Sequence, residues 1–419
     1  MARFPTFDRA WVRVARDFVT AMSGSVGRLV FSLLYFVALA NALSISDFGL
    51  FATASAAGVM LSRILGFGFV SALYRIATVK PNLVGVFVGG FLMMAVLSLP
   101  VLALAAWATY LVFFAGELPL YTFALVIVAE AILWRPAEAI VIVNNGLNRF
   151  GRASILVILG TLLRSVAAVA LFLAPAPDLA TWVPLYLAAN ALTLAIAIAF
   201  FHPRRRVRFR PALYWRRLAD SIYVAGAELL FYLQMEMDKL LVLALGGPQL
   251  AGIYAIIMRL VDLTAIPIRT FTMLLVQRMM RTPHLLASLP RRIGFEAGVF
   301  VVSTIGIAML AAILHLYPNL LGRNVSEAAP LVALALFIPG LRNLMEYQAE
   351  LLYARGQTLV RAVNLAMLAG YKALLLAWLL ALAGDTESLV MGLNYAFLGL
   401  YLASAALTYS AMRMPARRI

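Results

Sequence analysis

The residues best able to do chemistry in this chain are charged side chains that lie inside long apolar segments. An ionised side chain at the centre of a bilayer costs about 3 kcal/mol or more, so it usually faces a water-filled cavity or an opposite charge. The basic members are Arg28, Arg63, Arg135, Arg164, Lys239, Arg259, Arg269, Arg342 and Lys372, and the acidic members are Glu130, Glu138, Glu228, Glu236, Asp238, Asp262, Glu346 and Glu350. Such a set can bind a charged cargo, carry a coupling ion or form internal ion pairs.

Some of these charges are spaced for pairing within one helix, because residues three or four positions apart share a helix face. The predicted pairs are Arg135 with Glu138, Arg259 with Asp262, and Arg342 with Glu346. For these six residues, mutual neutralisation is as reasonable an interpretation as contact with cargo. Asp238 and Lys239 fall near a predicted helix end, where we expect their side chains to reach the membrane interface.

Arg28, Arg63 and Arg164 have no acid within four positions on their own segments. A guanidinium donates paired hydrogen bonds and stays charged when partly desolvated, which suits a diphosphate. With Arg135, the first half of the chain holds four arginines inside its apolar stretches against two acids, so we expect an electropositive interior there. A salt bridge across helices to an acid such as Glu130 or Glu228 is the open alternative.

The charges are embedded in a chain that is apolar along nearly its whole length. Its 419 residues are 64% hydrophobic, and the mean hydropathy is +0.95. A helix needs about 20 apolar residues to cross a bilayer. Twelve such stretches are predicted, at 18–41, 48–74, 83–114, 119–143, 153–174, 179–201, 218–245, 250–277, 293–316, 329–353, 362–383 and 388–411. The sequence therefore predicts an all-α integral membrane protein with twelve transmembrane helices.

Basic residues between the stretches set the expected orientation. Cytoplasmic loops collect Lys and Arg, and here the basic loops alternate so that both termini are expected in the cytoplasm. The richest loop, 202–217, is predicted to be a cytoplasmic linker whose arginines meet anionic headgroups. It accounts for much of the +16 net charge, and we prefer this interpretation to nucleic-acid binding. Cysteine is absent and the three histidines are scattered, so no metal site is expected.

The two halves of the chain repeat each other. The segment Asp47-Phe-Gly-Leu-Phe-Ala52 aligns with Leu250-Ala-Gly-Ile-Tyr-Ala255, and the same offset brings Arg75 onto Arg278. Pro136 and Pro339 sit at matching places and are predicted to kink their helices. We therefore predict two six-helix lobes related by a parallel repeat, with lobe 1–201, linker 202–217 and lobe 218–419.

These motifs resemble a known family. The Asp47-Phe-Gly-Leu-Phe51 opening, its echo Ala251-Gly-Ile-Tyr254, the stretch Met235-Glu-Met-Asp-Lys239 and the layout of six plus six spans are similar to those of bacterial polysaccharide flippases. This family belongs to the multidrug, oligosaccharidyl-lipid and polysaccharide exporter superfamily. The resemblance implies a transporter that flips a polyprenyl-diphosphate-linked oligosaccharide from the cytoplasmic to the periplasmic leaflet of the bacterial inner membrane by alternating access. It also implies partners in surface polysaccharide assembly, such as a polymerase.

The resemblance and the charge pattern together suggest roles for individual residues. The predicted cargo-binding residues are Arg28, Arg63, Arg164, Arg135, Arg269, Arg342 and Lys372, and the candidates for ion coupling are Glu228, Glu130 and Glu346. No cofactor is expected. An ATP-binding loop needs Gly directly before its Lys, whereas the lysines here follow Val79, Asp238 and Tyr371.

Two other functions were compared with the flippase. An ion-coupled multidrug antiporter of the same superfamily would share the lobes, but a cationic drug favours an acidic cavity rather than an arginine-rich one. A membrane-embedded polysaccharide polymerase or ligase would need a catalytic platform outside the bilayer. The longest outside loop, 317–328, is too short for an independently packed domain, and no catalytic residues are predicted there.

Overall fold

The protein is described here by a computed structural model. It covers residues 27–203, 205–281 and 289–413, without the side chains of 266–267, 269–271, 273–281, 289–291 and 353–354. All regular secondary structure in these ranges is helical. This is what the composition demands, because a helix satisfies its backbone hydrogen bonds internally when no water is near.

Each of the twelve predicted apolar stretches coincides with a helix or a broken helix of the described residues. They are α1 (Gly27–Ala42), α2 (Ile45–Val79), α3 (Pro81–Phe113), α4 (120–146), α5 (Phe150–Phe172), α6 (Leu179–Phe201), α7 (211–246), α8 (248–281), α9 (Leu289–Leu316), α10 (Arg323–Leu334 with Ile338–Ala354), α11 (Thr358–Leu382) and α12 (Thr386–Ala411). By length and hydropathy alone, eight helices of the described part could cross a membrane, or nine if the bent pair in α10 counts as one span.

Several helices are interrupted where the apolar pattern predicts continuity. Helix α2 is broken at 62–68, and Gly247, with φ of 76°, separates α7 from α8. Helix α4 contains a π-helical turn at Val128–Trp134, and the two parts of α10 meet at an angle of 72°. Helix α7 begins at Pro211, so the last residues of the predicted linker are helical.

The described chain forms two compact units. Unit 1 consists of residues up to Leu39 together with Leu61–Ala106 and Ala124–Ala225. Unit 2 consists of Ala40–Met60, Trp107–Phe123 and the residues from Gly226 onwards. The first turn of α2 packs on the first turn of α8 within unit 2, and the charged residues of α2, α4, α5 and α6 meet within unit 1.

Candidate functional site

The break in α2 places Arg63 at the end of a helical segment inside unit 1. The α-helical part ends at Leu61, and Gly66, Phe67 and Gly68 all have positive φ, at 75°, 46° and 74°. The Gly66 N–H donates to Ser98 Oγ at 2.9 Å, which satisfies one of the backbone groups that the break releases. A cation at a helix C-terminus is stabilised by the unpaired carbonyl groups there. The break therefore creates a favourable position for the buried Arg63 guanidinium.

Arg63 and Arg135 share one carboxylate. Arg63 Nη1 lies 3.1 Å from Glu138 Oε2, and Arg135 Nη1 lies 2.8 Å from the same oxygen. The side chains of both arginines are almost fully buried, at 6% and 2% exposure, whereas that of Glu138 is 26% exposed. The pairing of Arg135 with Glu138 that the spacing predicts is confirmed. Arg63 joins it from a different helix, so both guanidinium groups contact the same carboxylate oxygen.

Arg164 lies in a second polar group in unit 1, formed by α4, α5 and α6. Its Nε and Nη2 donate to Asn190 Oδ1 at 3.1 and 2.6 Å. Its guanidinium stacks over the Trp134 ring at 4.2 Å and lies 5.3 Å from the Tyr186 ring. Glu130 Oε2 is 4.0 Å from Nη2, and Glu130 accepts a hydrogen bond from the Tyr186 hydroxyl. Arg164 is thus held mainly by a neutral amide and an aromatic face.

The π-helical turn of α4 helps to assemble both groups. It carries Glu130 and Trp134, and the following residues Arg135 and Glu138 continue on the α-helical part. A π-helical turn inserts an extra residue and shifts the facing of the side chains around it. Pro136 is the second residue after this turn. Five charged side chains of unit 1, three arginines and two glutamates, are therefore gathered along one stretch of α4.

Lys372 and Asp238 form a buried ion pair in unit 2. Lys372 Nζ lies 3.2 Å from Asp238 Oδ2 and donates to the Gln234 carbonyl at 2.8 Å. The Tyr254 hydroxyl donates to the same Asp238 oxygen at 2.6 Å. Asp238 is fully buried, so the expectation that its side chain reaches the interface is wrong. A helix partner 134 positions away, Lys372, keeps this carboxylate inside. Lys239, its neighbour, pairs with Glu236.

Arg342 also pairs across helices. Its Nη1 lies 3.5 Å from Asp262 Oδ1 of α8, a contact that the spacing along α10 does not predict. Arg342 and Glu346 line a cavity of about 10 Å³, roughly the space of a single water molecule. Pro339 is the second residue of the helical part that follows the 72° bend in α10. These residues therefore form a packed interior in unit 2.

The remaining predicted residues lie elsewhere. Arg28 is an exposed residue in the first turn of α1. Glu228 in α7 is half-buried. Arg269 belongs to α8, but its side chain lies outside the described part of the structure.

Several polar residues of the interior were not identified from the sequence. Asn190, Tyr186 and Trp134 surround Arg164, and the only signal was their presence near the middle of apolar stretches. In unit 2, the buried Glu296 accepts hydrogen bonds from Gln348 at 3.0 Å, Tyr401 at 2.8 Å and Tyr409 at 2.5 Å. Within the described residues, no group of three or more His, Asp or Glu could hold a metal ion.

Comparisons with known proteins identify the fold. No family model matches this chain, and no curated protein does. An outward-facing multidrug resistance MATE family transporter of the MOP superfamily matches with a TM-score of 0.64, at 14% identity, covering 96% of each chain. An inward-facing one matches with a TM-score of 0.60, at 12% identity, covering 95% of this chain and 99% of the other.

A third solved structure has a comparable similarity. It is a MOP superfamily transporter from Pyrococcus furiosus Vc1, described by a binding pocket of reverse polarity that suggests a different function. It matches with a TM-score of 0.56, at 14% identity, covering 96% of this chain and 94% of the other. The predicted fold class is confirmed: the chain is an all-α integral membrane protein with the two-lobed, twelve-helix fold of MATE transporters of the MOP superfamily.

Proposed function

We propose that this protein is a secondary transporter that moves its cargo across a membrane by alternating access. The observation that carries this proposal is its match, over 95–96% of its length, to transporters of one fold in both inward-facing and outward-facing conformations. A fold that adopts both conformations can expose one site to each side of the membrane in turn. The distribution of basic loops supports a cytoplasmic location for both termini.

The structural neighbours favour a small organic molecule as cargo. Two of the three neighbours described above are named as multidrug resistance transporters. In an ion-coupled antiporter, a buried carboxylate must gain and lose a proton or a cation during the cycle. Glu130 fits this role, because it is buried beside Arg164 and Tyr186 in the interior of unit 1. Glu346 and Glu228 are the further candidates in unit 2.

The charges of unit 1 favour a second candidate, an anionic cargo such as a polyprenyl-diphosphate-linked oligosaccharide. Among the described residues, the ion pairs of Arg63, Arg135 and Arg164 involve two carboxylates, those of Glu130 and Glu138. A cluster with more guanidinium groups than carboxylates attracts a phosphate and repels a cationic drug. The neighbour with a pocket of reverse polarity indicates that this fold is not tied to one charge of cargo.

Arg164 is the residue of this cluster best placed to meet an anion. The carboxylate of Glu138 lies within 3.1 Å of both Arg63 and Arg135. Arg164 instead bonds to the neutral Asn190 amide, and its nearest carboxylate oxygen is 4.0 Å away. A phosphate oxygen could therefore approach this guanidinium without displacing a close ion pair. Its side chain remains 19% exposed, which leaves access for a partner.

Two assays on the full chain separate the candidates. In the first, cells that express the protein are tested for resistance to cationic drugs. In the second, the reconstituted protein is tested for transfer of a labelled lipid-linked sugar between leaflets. Leaflet transfer without drug resistance supports the flippase, drug resistance without leaflet transfer supports the antiporter, and absence of both overturns the proposal that this is a transporter of either cargo.

Variants then test the site itself. Arg164→Ala is expected to reduce transport of an anionic cargo by about a hundredfold, corresponding to the loss of a charge-assisted hydrogen bond. Arg164→Lys, which keeps the charge but not the planar fork, is expected to recover only part of this loss. Arg216→Ala, an exposed arginine of α7, is the matched control. Equal transport by the native protein and these three variants, at equal expression, would exclude Arg164 from the cargo site.

A further inference from the structure

Unit 1 contains an apolar cleft that neither the charge clusters nor the proposed transport uses. It has a volume of about 200 Å³ and is lined by α2, α3, α4, α6 and the start of the linker. Its walls include Phe91, Ile140 and Val143, and its edge includes Ile198 and Val207. Ile198 and Val207 are 58% and 40% exposed, so the cleft opens at the outer surface of unit 1.

The chemistry of the cleft favours a hydrocarbon chain. Eleven of the twelve lining residues are apolar, and the exception is His202, at the C-terminus of α6. Burial lowers the pKa of His202, which disfavours the charged form of its imidazole. Pockets for drug-sized molecules usually enclose about 300–1,000 Å³, so this cleft suits a narrower ligand. A single lipid chain entering from the membrane fits both the volume and the apolar lining.

The backbone of the linker is attached to unit 1 where it passes the mouth of the cleft. It runs along the first turns of α3, where the Arg208 N–H donates to the Gly85 carbonyl at 3.2 Å. A Cβ atom on Gly85 would be 2.2 Å from the Arg206 carbonyl oxygen, and one on Gly89 would be 2.7 Å from that of Arg208. Only glycine allows the linker to lie this close to the helix. The backbone of 206–208 is therefore bound to unit 1.

Tyr214 reinforces this attachment. Its buried hydroxyl accepts from the Arg210 N–H at 2.9 Å and lies 2.7 Å from the Val86 carbonyl and 2.9 Å from that of Arg208. Its ring packs edge-on against Phe69. The side chains of Arg206 and Arg208 stay exposed on either side of the cleft-lining Val207. The backbone that is attached to unit 1 thus carries two exposed arginines, Arg206 and Arg208, beside the apolar cleft.

We propose that this cleft binds one acyl chain of an anionic phospholipid whose headgroup phosphate is held by Arg206 and Arg208. The complementarity is of two kinds: apolar walls for the chain, and positive charges at the mouth for the phosphate. The proposal concerns a membrane lipid bound to unit 1 and is independent of the nature of the transported cargo. Binding of such a lipid would make the activity of the protein depend on the fraction of anionic lipid in its membrane.

The test uses the full chain in vesicles that contain a phosphatidylglycerol analogue with a photoreactive group on one acyl chain. After irradiation, peptide mass spectrometry locates the labelled residues. We expect labelling in the cleft-lining segments around Phe91, Val143 and Ile198. A phosphatidylcholine analogue with the same chain should label these segments much less. A polyprenyl phosphate added in equal amount should not compete with the phosphatidylglycerol analogue.

Variants separate the two parts of the site. Arg206→Gln and Arg208→Gln are expected to reduce labelling by phosphatidylglycerol about fivefold each. Their matched controls are Arg149→Gln, on the α4–α5 loop, and Arg152→Gln, in the first turn of α5, both at exposed arginines. Val143→Trp fills the cleft and should abolish labelling, whereas Val166→Trp, on an exposed position of α5, should not. Because the arginine variants change only exposed side chains, they test the proposal even if Val143→Trp does not fold.

Any of four results would overturn the proposal. Equal labelling by the neutral analogue, or full labelling of both arginine variants, would mean that the cleft accepts any chain. Competition by the polyprenyl phosphate would assign the cleft to a carrier lipid instead. Absence of label from all three segments would mean that no lipid chain enters it.

Discussion

Gly49 of α2 and Gly252 of α8 pack backbone against backbone, so closely that neither could carry a side chain. A Cβ atom on Gly49 would be 2.4 Å from the Gly252 nitrogen, and one on Gly252 would be 2.0 Å from the Ile45 carbonyl oxygen. Beside them, Ser46 Oγ donates to Gln249 Oε1 at 2.9 Å across a separation of 203 positions. This is the offset of the internal repeat. Equivalent residues of the two halves therefore touch each other, as they do at a twofold axis.

The first prediction concerns this contact. Gly252→Val is expected to lower the free energy of unfolding by about 3 kcal/mol, because the new side chain forces two helix backbones apart. Gly370→Ala in α11, where a Cβ atom would meet nothing within 4 Å, is the control and should be neutral or slightly stabilising. Thermal unfolding of the purified protein, followed by tryptophan fluorescence, measures both. Equal melting temperatures for the two variants would contradict the close packing.

A cysteine pair checks the same contact directly. The chain has no cysteine, so Ser46→Cys with Gln249→Cys introduces the only two thiols. We expect oxidation to link them, because the native side chains already meet at 2.9 Å. Digestion followed by non-reducing mass spectrometry detects the linked peptides. The single variant Ser46→Cys should give no linked peptide.

The second prediction concerns the shared carboxylate of unit 1. Glu138→Gln leaves the buried guanidinium groups of Arg63 and Arg135 without their common counter-charge. We expect the free energy of unfolding to fall by about 3 kcal/mol. This value is at the low end of the range for breaking a buried ion pair, because the side chain of Glu138 is 26% exposed. Arg63→Gln should cost less, since Glu138 keeps Arg135. Chemical denaturation of both variants in one detergent measures the difference, and a smaller loss for Glu138→Gln would contradict the shared role.

The third prediction separates a structural role of Lys372 from a role in cargo binding. Lys372→Met alone leaves Asp238 buried without its cation and should strongly reduce the yield of folded protein. The double variant Lys372→Met with Asp238→Leu removes both charges and is expected to recover most of the yield. If Lys372 serves only packing, the recovered protein transports normally. Recovered folding with transport lost would instead support the predicted contact between Lys372 and cargo.

The fourth prediction concerns the start of α12, outside the membrane-spanning part. Asp385 caps this helix by accepting from the Ser388 N–H at 2.7 Å, and hydrogen bonds from Ser388 lower the pKa of its carboxyl. A carboxyl whose pKa is lowered by folding stabilises the protein above its unfolded pKa and loses this effect as the pH falls through the folded pKa. Asp385→Ala should therefore lower the melting temperature at pH 7 slightly, with a smaller difference from the native protein below about pH 4.

Asp385→Asn provides the control for this cap. An asparagine still accepts the hydrogen bond but does not titrate, so we expect near-native stability at pH 7. The difference in melting temperature between Asp385→Asn and Asp385→Ala should not change with pH in the acidic range. A pH-dependent difference between these two variants would mean that another group is responsible.

The sequence predicted the elements because hydropathy is a local property. Within the described residues, every predicted apolar stretch coincides with a helix or a broken helix. The ion pair between Arg135 and Glu138 followed from a spacing of three positions along one helix. The repeat was also detectable, since the offset that relates Gly49 to Gly252 can be read from the letters alone. What was not visible was that these two residues meet.

The tertiary structure decided which charges are neighbours. Arg63 pairs with Glu138, which lies 75 positions away in the sequence. Arg342 pairs with Asp262 of another helix, a contact that the spacing of residues along α10 could not indicate. The sequence did not predict the break at Gly66 or the π-helical turn around Glu130, because the segments that contain them are mostly apolar like the rest of their helices. Composition along the chain determines which segments enter a membrane. The partners of the charges inside it depend on how the helices pack, which no single segment encodes.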